Sequence, residues 1–93
     1  MKDYVGKSII ANYFKGIEGL EGKLSFDENG LGFKSHKINI QKADIRIEYA
    51  DMEKAELRGI LLGLNVYTKD GTLHKFVVYG RKKVLEFLNS KIK

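Results

Sequence analysis

Five lysines stand in or beside predicted turns of this chain, and they are the residues best placed for chemistry. A lysine ammonium is a compact positive charge, and each one near an anionic membrane surface contributes about 1 kcal/mol of binding free energy. The candidate anion-binding residues are Lys15, Lys34, Lys37, Lys42 and Lys69. The turns that follow the first, third and sixth predicted strands are expected to meet at one open end of a folded sheet, where these charges would converge. The alternative interpretation is that exposed turns simply tend to carry lysine.

The other residue types that could do chemistry lack suitable neighbours. His36 and His74 are far apart in the sequence and have no acids at ligand spacing, whereas a zinc site needs several convergent ligands. The acidic residues between Asp44 and Glu56 fit one solvated strand face better than a pair of catalytic carboxylates. Cysteine, a phosphate-binding loop and a nucleophile elbow are all absent from the sequence. We therefore expect a non-catalytic protein that uses no metal or cofactor.

Length and composition predict one small domain that spans residues 1–93. The net charge of +5 suits an anionic membrane, a nucleic acid or an acidic protein as partner, although it can also serve solubility alone. No stretch resembles a signal peptide, and none approaches the ~20 apolar residues that a membrane-spanning helix needs. These features predict a cytoplasmic protein, with peripheral attachment to a membrane as one option.

Alternating apolar and polar residues between glycine-rich turns predict a chain built mainly from half-buried strands. Asn29-Gly30 and Asp70-Gly71 are typical of tight hairpin turns, because both dipeptides tolerate positive φ angles. The predicted strands are Ile9–Lys15, Leu20–Phe26, Leu31–His36, Ile45–Tyr49, Met52–Leu57, Gly63–Thr68 and Leu73–Tyr79. Ile38–Ile40 is expected to extend the third strand or to pair separately, and Tyr49–Met52 to form one helical turn.

The last segment of the chain changes to helical periodicity. Its apolar stripe consists of Val84, Leu85, Leu88 and Ile92, with Phe87 beside it. This spacing predicts an amphipathic helix, with Gly80 as its N-cap. The basic run Arg81–Lys83 lies at the positive end of the helix dipole, so it is either a binding feature or a set of screened surface charges.

The two patterns together predict the fold class, which is mainly β with one C-terminal α-helix. A twisted antiparallel sheet must bury one face, and it can do so by folding into two nearly orthogonal layers. The open end that remains can be closed by the amphipathic helix. We therefore expect a seven-stranded β-sandwich or partly open barrel that the helix caps.

Several segments, taken in order, resemble the GRAM domain family. Gly22–Phe26 followed by Asn29–Phe33 looks like the early hairpin of the family, and Tyr49–Met52 is similar to the turn that enters its fifth strand. Lys69–Phe76 resembles its late hairpin, which precedes a helix. The resemblance covers the chain from Ile9 to Leu88 and implies a pleckstrin-homology-like (PH-like) fold. It also implies a non-catalytic binding module of a kind often linked to phosphoinositides, membranes or protein partners.

The resemblance further implies where an inositide would bind. Members of the wider superfold that bind inositides place a basic residue at the end of the first strand and a basic-x-Arg pattern in the second. Lys15 and Lys23 fill the first two places, whereas the third falls on Ser25. Serine lacks the planar fork with which arginine holds a phosphate through two hydrogen bonds. The expected function is therefore weak recognition of an anionic lipid headgroup or membrane surface through basic loops.

Two other binding functions fit parts of the sequence. An exposed sheet edge can accept a strand from a peptide or from a second copy of the chain, and the apolar run Ile60–Leu62 can add to such a protein-interaction surface. Nucleic-acid binding would need aromatic side chains interleaved with basic ones. Tyr13, Tyr67 and Tyr79 are the candidates, but their pattern is diffuse, so we do not expect a nucleic acid to be the partner.

Overall fold

The computed structural model describes residues 3–36 and 42–92, and in this part of the chain seven strands precede one α-helix. The strands are β1 Ser8–Lys15, β2 Glu18–Phe26, β3 Gly30–Ser35, β4 Asp44–Glu48, β5 Met52–Arg58, β6 Gly63–Thr68 and β7 Leu73–Val78. A 3₁₀ turn, Tyr49–Asp51, connects β4 to β5, and helix α1 spans Arg81–Lys91. The predicted order of elements is therefore confirmed. The predicted strand at Ile38–Ile40 lies outside the described residues.

The seven strands of the described chain form one antiparallel sheet of order β4-β3-β2-β1-β7-β6-β5. Pairing of β1 with β7, with Tyr13 opposite Phe76, joins the first four strands to the last three. Strands β4 and β5 follow each other in the sequence but lie at opposite ends of the sheet, and the 3₁₀ turn connects them. The sheet curls into a half-barrel, which confirms the predicted fold class.

Alternate residues of the strands build the hydrophobic core inside the half-barrel. Along β2, the apolar residues Leu20, Leu24 and Phe26 are buried. The charged residues Glu21 and Lys23 between them are exposed. Phe33 and Phe76 come from opposite halves of the sheet, and their ring centroids lie 6.3 Å apart. The period of two therefore decides which face of each strand enters the core.

Helix α1 closes this core, as its apolar stripe predicts. Val84 and Leu88 are fully buried, and Phe87 lies at the centre of an aromatic cluster. The ring centroid of Phe87 is 5.5 Å from that of Tyr4 and 5.6 Å from that of Phe26. Within the described residues, no helix is long and apolar enough to cross a membrane.

Candidate functional site

Two of the predicted anion-binding lysines come together where β1 ends. The Lys15 ammonium donates a hydrogen bond to the Lys42 carbonyl oxygen at 3.2 Å, which ties the β1–β2 turn to the segment before β4. The Lys42 ammonium donates to the His36 carbonyl oxygen at 3.4 Å. Both lysines are exposed, but Glu18 pairs with Lys15 across the hairpin. An acidic residue therefore shares this surface with the two lysines.

Lys34 lies on a strand rather than in a turn. In β3 it is in register with Lys23 of β2 and with Asp44 of β4. Cross-strand neighbours interact directly, so the Lys34 charge stands between one like charge and one opposite charge. Lys37 lies outside the described residues, and its place in a binding site stays a prediction.

Lys69 faces another part of the molecule. It lines a cavity of about 530 Å³ between β4 and the β6–β7 turn. The charged and titratable residues that line this cavity are Arg46, Asp51, Lys69, Asp70 and His74. Both signs of charge are present, and the lining includes none of the other predicted lysines that the structure describes. The structure thus brings together Lys15 and Lys42 and places Lys69 elsewhere.

Arg46, the arginine that lines this cavity, already forms ion pairs within the protein. The Arg46 guanidinium contacts Asp27, and it lies 2.8 Å from a Glu48 carboxylate oxygen. Hydrogen bonds from Arg46, and then from the backbone amides of Asn29 and Gly30, hold the pKa of Asp27 well below its ordinary value. Arg46 therefore fixes the β2–β3 turn against β4 and leaves little charge for a ligand.

Two further groups of the cavity also serve the fold. Asp70 accepts hydrogen bonds from the Thr68 hydroxyl and the Thr72 amide, and the first of these contributes most to lowering the pKa of Asp70. His74 Nδ1 lies 2.9 Å from the hydroxyl oxygen of Tyr13, which is buried. Burial lowers the pKa of His74, so the imidazole adds little positive charge near neutral pH.

A second surface, at the opposite end of β1, is more unusual. The β5–β6 turn exposes two adjacent aliphatic side chains, Ile60 at 92% and Leu61 at 76%. Tyr79, in the turn between β7 and α1, is 78% exposed and lines the same cavity as both. We call Ile60, Leu61 and Tyr79 the apolar tip. Large apolar side chains that cluster on a surface commonly mark a site of interaction with a protein or a membrane.

Buried Arg81 fixes the backbone that carries the apolar tip. This arginine is the first residue of α1 and is 8% exposed. Its Nη1 atom donates to the carbonyl oxygens of Arg58 at 2.8 Å, Gly59 at 3.1 Å and Gly63 at 3.1 Å. These acceptors flank the β5–β6 turn on both sides. The turn is therefore fastened to the start of the helix through a charged donor, which makes stronger hydrogen bonds than a neutral one.

Lys82 and Lys83 place two exposed positive charges beside the apolar tip. They share a cavity of about 680 Å³ with it. The remaining described residues that line the cavity are Tyr4, Ile9, Leu62, Gly80 and Arg81, and none is acidic. This surface therefore joins exposed apolar side chains to net positive charge, since the two lysines have one acid, Glu86, a helical turn further along α1.

Both halves of this surface are recognisable in the sequence, but their proximity is not. The run Ile60–Leu62 stands out as apolar, and Arg81–Lys83 stands out as basic charge against the helix dipole. Their proximity depends on the Arg81 hydrogen bonds, which link residues that are 18 to 23 positions apart in the sequence. No local pattern reports such a contact.

The fold of this chain also occurs in another protein of known structure. No family model and no curated protein matches this chain. Among solved structures, the chain is similar to the C-terminal domain of an unknown protein from Leishmania infantum. That similarity has a TM-score of 0.78 at 17% sequence identity, over 94% of this chain and 82% of that chain. At this level of identity, the two proteins are shown to share a fold and nothing more.

Proposed function

We propose that this chain is a non-catalytic module that binds anionic membrane surfaces, as the PH-like GRAM domains that its sequence resembles often do. The observation that carries the proposal is the placement of Lys82 and Lys83 beside the apolar tip, in a cavity whose described lining has no acid. A strand order of β4-β3-β2-β1-β7-β6-β5 followed by a helix is compatible with a PH-like topology.

The expected affinity is weak and depends on salt. Each exposed lysine near an anionic surface contributes about 1 kcal/mol, so two lysines alone give only reversible adsorption. Charges interact over about 8 Å at physiological ionic strength and over about 3 Å in molar salt. Binding through Lys82 and Lys83 should therefore weaken steeply as salt is added.

The charges nearby make Lys82 and Lys83 better candidates for binding an anionic surface than the five lysines predicted from the sequence. Lys15 pairs with Glu18 across its hairpin, and Lys34 pairs with Asp44. The acids Asp51 and Asp70 line the cavity that Lys69 faces. Such neighbours offset the attraction of each lysine to a lipid phosphate. No acid is among the described residues that line the cavity of Lys82 and Lys83, and the acid closest to them in sequence is Glu86, one helical turn further along α1. One carboxylate beside two lysines leaves net positive charge next to the apolar tip.

Vesicle sedimentation tests the proposal. We expect the chain to bind phosphatidylcholine vesicles that contain phosphatidylserine more tightly than pure phosphatidylcholine vesicles, and to lose affinity as salt rises. The double variant Lys82→Ser and Lys83→Ser should bind about 25-fold more weakly, since it loses two lysine charges at about fivefold each. These serines remove charge that opposes the helix dipole but also remove the charges one turn before Glu86, so the stability of the variant should stay within about 0.5 kcal/mol of the unchanged chain.

A matched pair of substitutions separates the two lysine surfaces. Lys15→Ser with Lys34→Ser removes the same two charges from the net charge of +5. We expect this control to bind almost as well as the unchanged chain. Stronger loss in the control than in the Lys82 and Lys83 variant would move the site to the lysines at the end of β1. A chain that binds no anionic vesicle at any salt concentration would refute the function itself.

A protein-interaction or self-association module is the second candidate. The observation that favours it is that β4 and β5 end the sheet, so each has one edge without a neighbouring strand in the described sheet. Such edges can pair with an extended peptide or a second copy. Light scattering over a range of protein concentrations should then report a dimer or larger species, whereas a constant monomer mass would argue against self-association.

A further inference from the structure

We propose that the β5–β6 turn is a membrane-insertion element, which places the apolar tip below the lipid headgroups while Lys82 and Lys83 contact the phosphates. This inference rests on the proposed function and adds the orientation of the bound protein and the residues that enter the bilayer. Burial of the apolar tip in the bilayer would add a hydrophobic contribution to the binding free energy, and high salt does not remove this contribution.

The apolar tip is exposed at a place where folded chains normally carry polar residues. A β-turn is normally occupied by glycine, asparagine, aspartate or serine, because these residues suit its backbone and are well hydrated. Here the two middle positions of the turn hold Ile60 and Leu61, which contribute little to the core at 92% and 76% exposure. Ile17 is fully exposed too, but it stands alone between Gly16 and Glu18. Among the described turns, only the β5–β6 turn therefore presents two adjacent exposed apolar side chains. A third apolar side chain, Tyr79, lines the same cavity.

The apolar tip is also held rigidly. The hydrogen bonds from buried Arg81 to Arg58, Gly59 and Gly63 hold the backbone on both sides of the turn. A turn that is already ordered loses little conformational entropy when it docks, so more of the hydrophobic gain appears as affinity. The tip is thus presented in one shape before it meets a membrane.

The surrounding chemistry identifies a bilayer as the occupant. Aliphatic side chains favour the hydrocarbon region, and a tyrosine ring with a polar hydroxyl favours the interface, as Tyr79 would at the edge of the tip. Lysine side chains can lay their methylene groups along apolar surface while their ammonium groups reach the phosphates. A second copy of this chain would instead bring Lys82 and Lys83 close to their own counterparts, where like charges repel.

Tryptophan fluorescence reports insertion directly, because the chain contains no tryptophan of its own. Leu61→Trp places a single probe in the tip, and Ile17→Trp places the same probe in the β1–β2 turn as the matched control. On adding phosphatidylserine-containing vesicles, we expect the emission of the first probe to shift to shorter wavelength and to be quenched by brominated lipid chains. The control emission should stay at the wavelength typical of water.

Removal of the tip provides the second measurement. Ile60→Ser with Leu61→Ser should lower vesicle binding by about tenfold or more for each side chain that is fully buried in the bilayer. Part of the binding of the unchanged chain should persist in molar salt, and the double variant should lose that part. Ile17→Ser is the control and should bind like the unchanged chain. All these substitutions lie at exposed positions, so the fold should be retained.

The outcomes separate this inference from the function on which it rests. Salt-sensitive vesicle binding with no emission shift at position 61, and with equal binding by the double serine variant, would overturn insertion and leave surface binding intact. Failure of the unchanged chain to bind anionic vesicles would overturn both. A dimer that the double serine variant abolishes, seen by light scattering without vesicles, would assign the tip to self-association and also overturn insertion.

Discussion

Replacing Arg81 with methionine tests whether one buried guanidinium holds the β5–β6 turn. Methionine keeps most of the length and packing of the side chain but cannot donate to the three carbonyl oxygens that Arg81 Nη1 contacts. A hydrogen bond to a charged group contributes about 1.5–3 kcal/mol. One nitrogen carries two hydrogens, so three contacts amount to no more than two full bonds. The Gly59 carbonyl belongs to an exposed residue, so water can replace part of the loss.

Two such bonds contribute about 3–6 kcal/mol, and water at Gly59 offsets part of this, so we expect Arg81→Met to lower the free energy of unfolding by about 3 kcal/mol. A chain of this length has a total of about 5–14 kcal/mol, so the melting temperature should fall by roughly 10–20 °C. Urea denaturation followed by circular dichroism gives the free energy. Hydrogen exchange should show faster loss of protection at the amides that flank the turn.

Lys82→Met is the matched control, because it removes one positive charge from the neighbouring exposed position. Its stability should stay within about 0.5 kcal/mol of the unchanged chain. Equal stability of Arg81→Met and Lys82→Met would refute the claim that Arg81 fastens the turn. The proposal of a rigid apolar tip would then lose its structural basis.

Two further predictions concern the fold that carries the tip. Because the folded-state pKa of Asp27 lies below its ordinary value of 3.8, the ionised carboxylate stabilises the fold above that pH, and this stabilisation is lost as the pH falls below it. Asp27→Asn should be less stable than the unchanged chain near neutral pH, and urea denaturation over a pH series should find the difference shrinking in acid, with Glu28→Gln as an unaffected control. Phe87→Ala should cost about 3–5 kcal/mol, because Phe87 fills the centre of the aromatic cluster under α1. Ile17→Ala, at a fully exposed position, should cost almost nothing in the same denaturation experiment, and a similar loss in both would contradict the role of α1 in closing the core.

Local sequence pattern was sufficient for the elements of the fold. Strand β6 begins at Gly63 and ends at Thr68 in both the prediction and the structure, because apolar alternation and the Asp70-Gly71 turn define it locally. Periodicity predicts less well what covers the outer face of a strand. Asn65 is buried although it lies on the polar side of β6, since the Arg58 guanidinium bonds its side-chain oxygen and lies over the Phe14 ring.

The candidate site was harder to predict, because it depends on contacts between distant residues. In sequence, Arg81, Lys82 and Lys83 form one basic run, and the helix dipole disfavours all three alike. In the structure, the first turn of α1 directs Arg81 toward the carbonyls of the β5–β6 turn and leaves the two lysines in solvent. Three similar charges thus acquire two different roles, which only the packing of the helix against the sheet distinguishes.

Stability and binding should consequently be separable within this one surface. The β5–β6 turn needs glycine at position 59, whose φ angle is +67°, and it needs the hydrogen bonds from Arg81. Neither requirement involves the side chains of Ile60 or Leu61, which polar residues could replace without loss of the fold. Adjacent exposed aliphatic residues on a turn this firmly held are therefore not explained by folding. Loss of Arg81 should weaken both stability and vesicle binding, whereas loss of Ile60 and Leu61 should weaken vesicle binding alone.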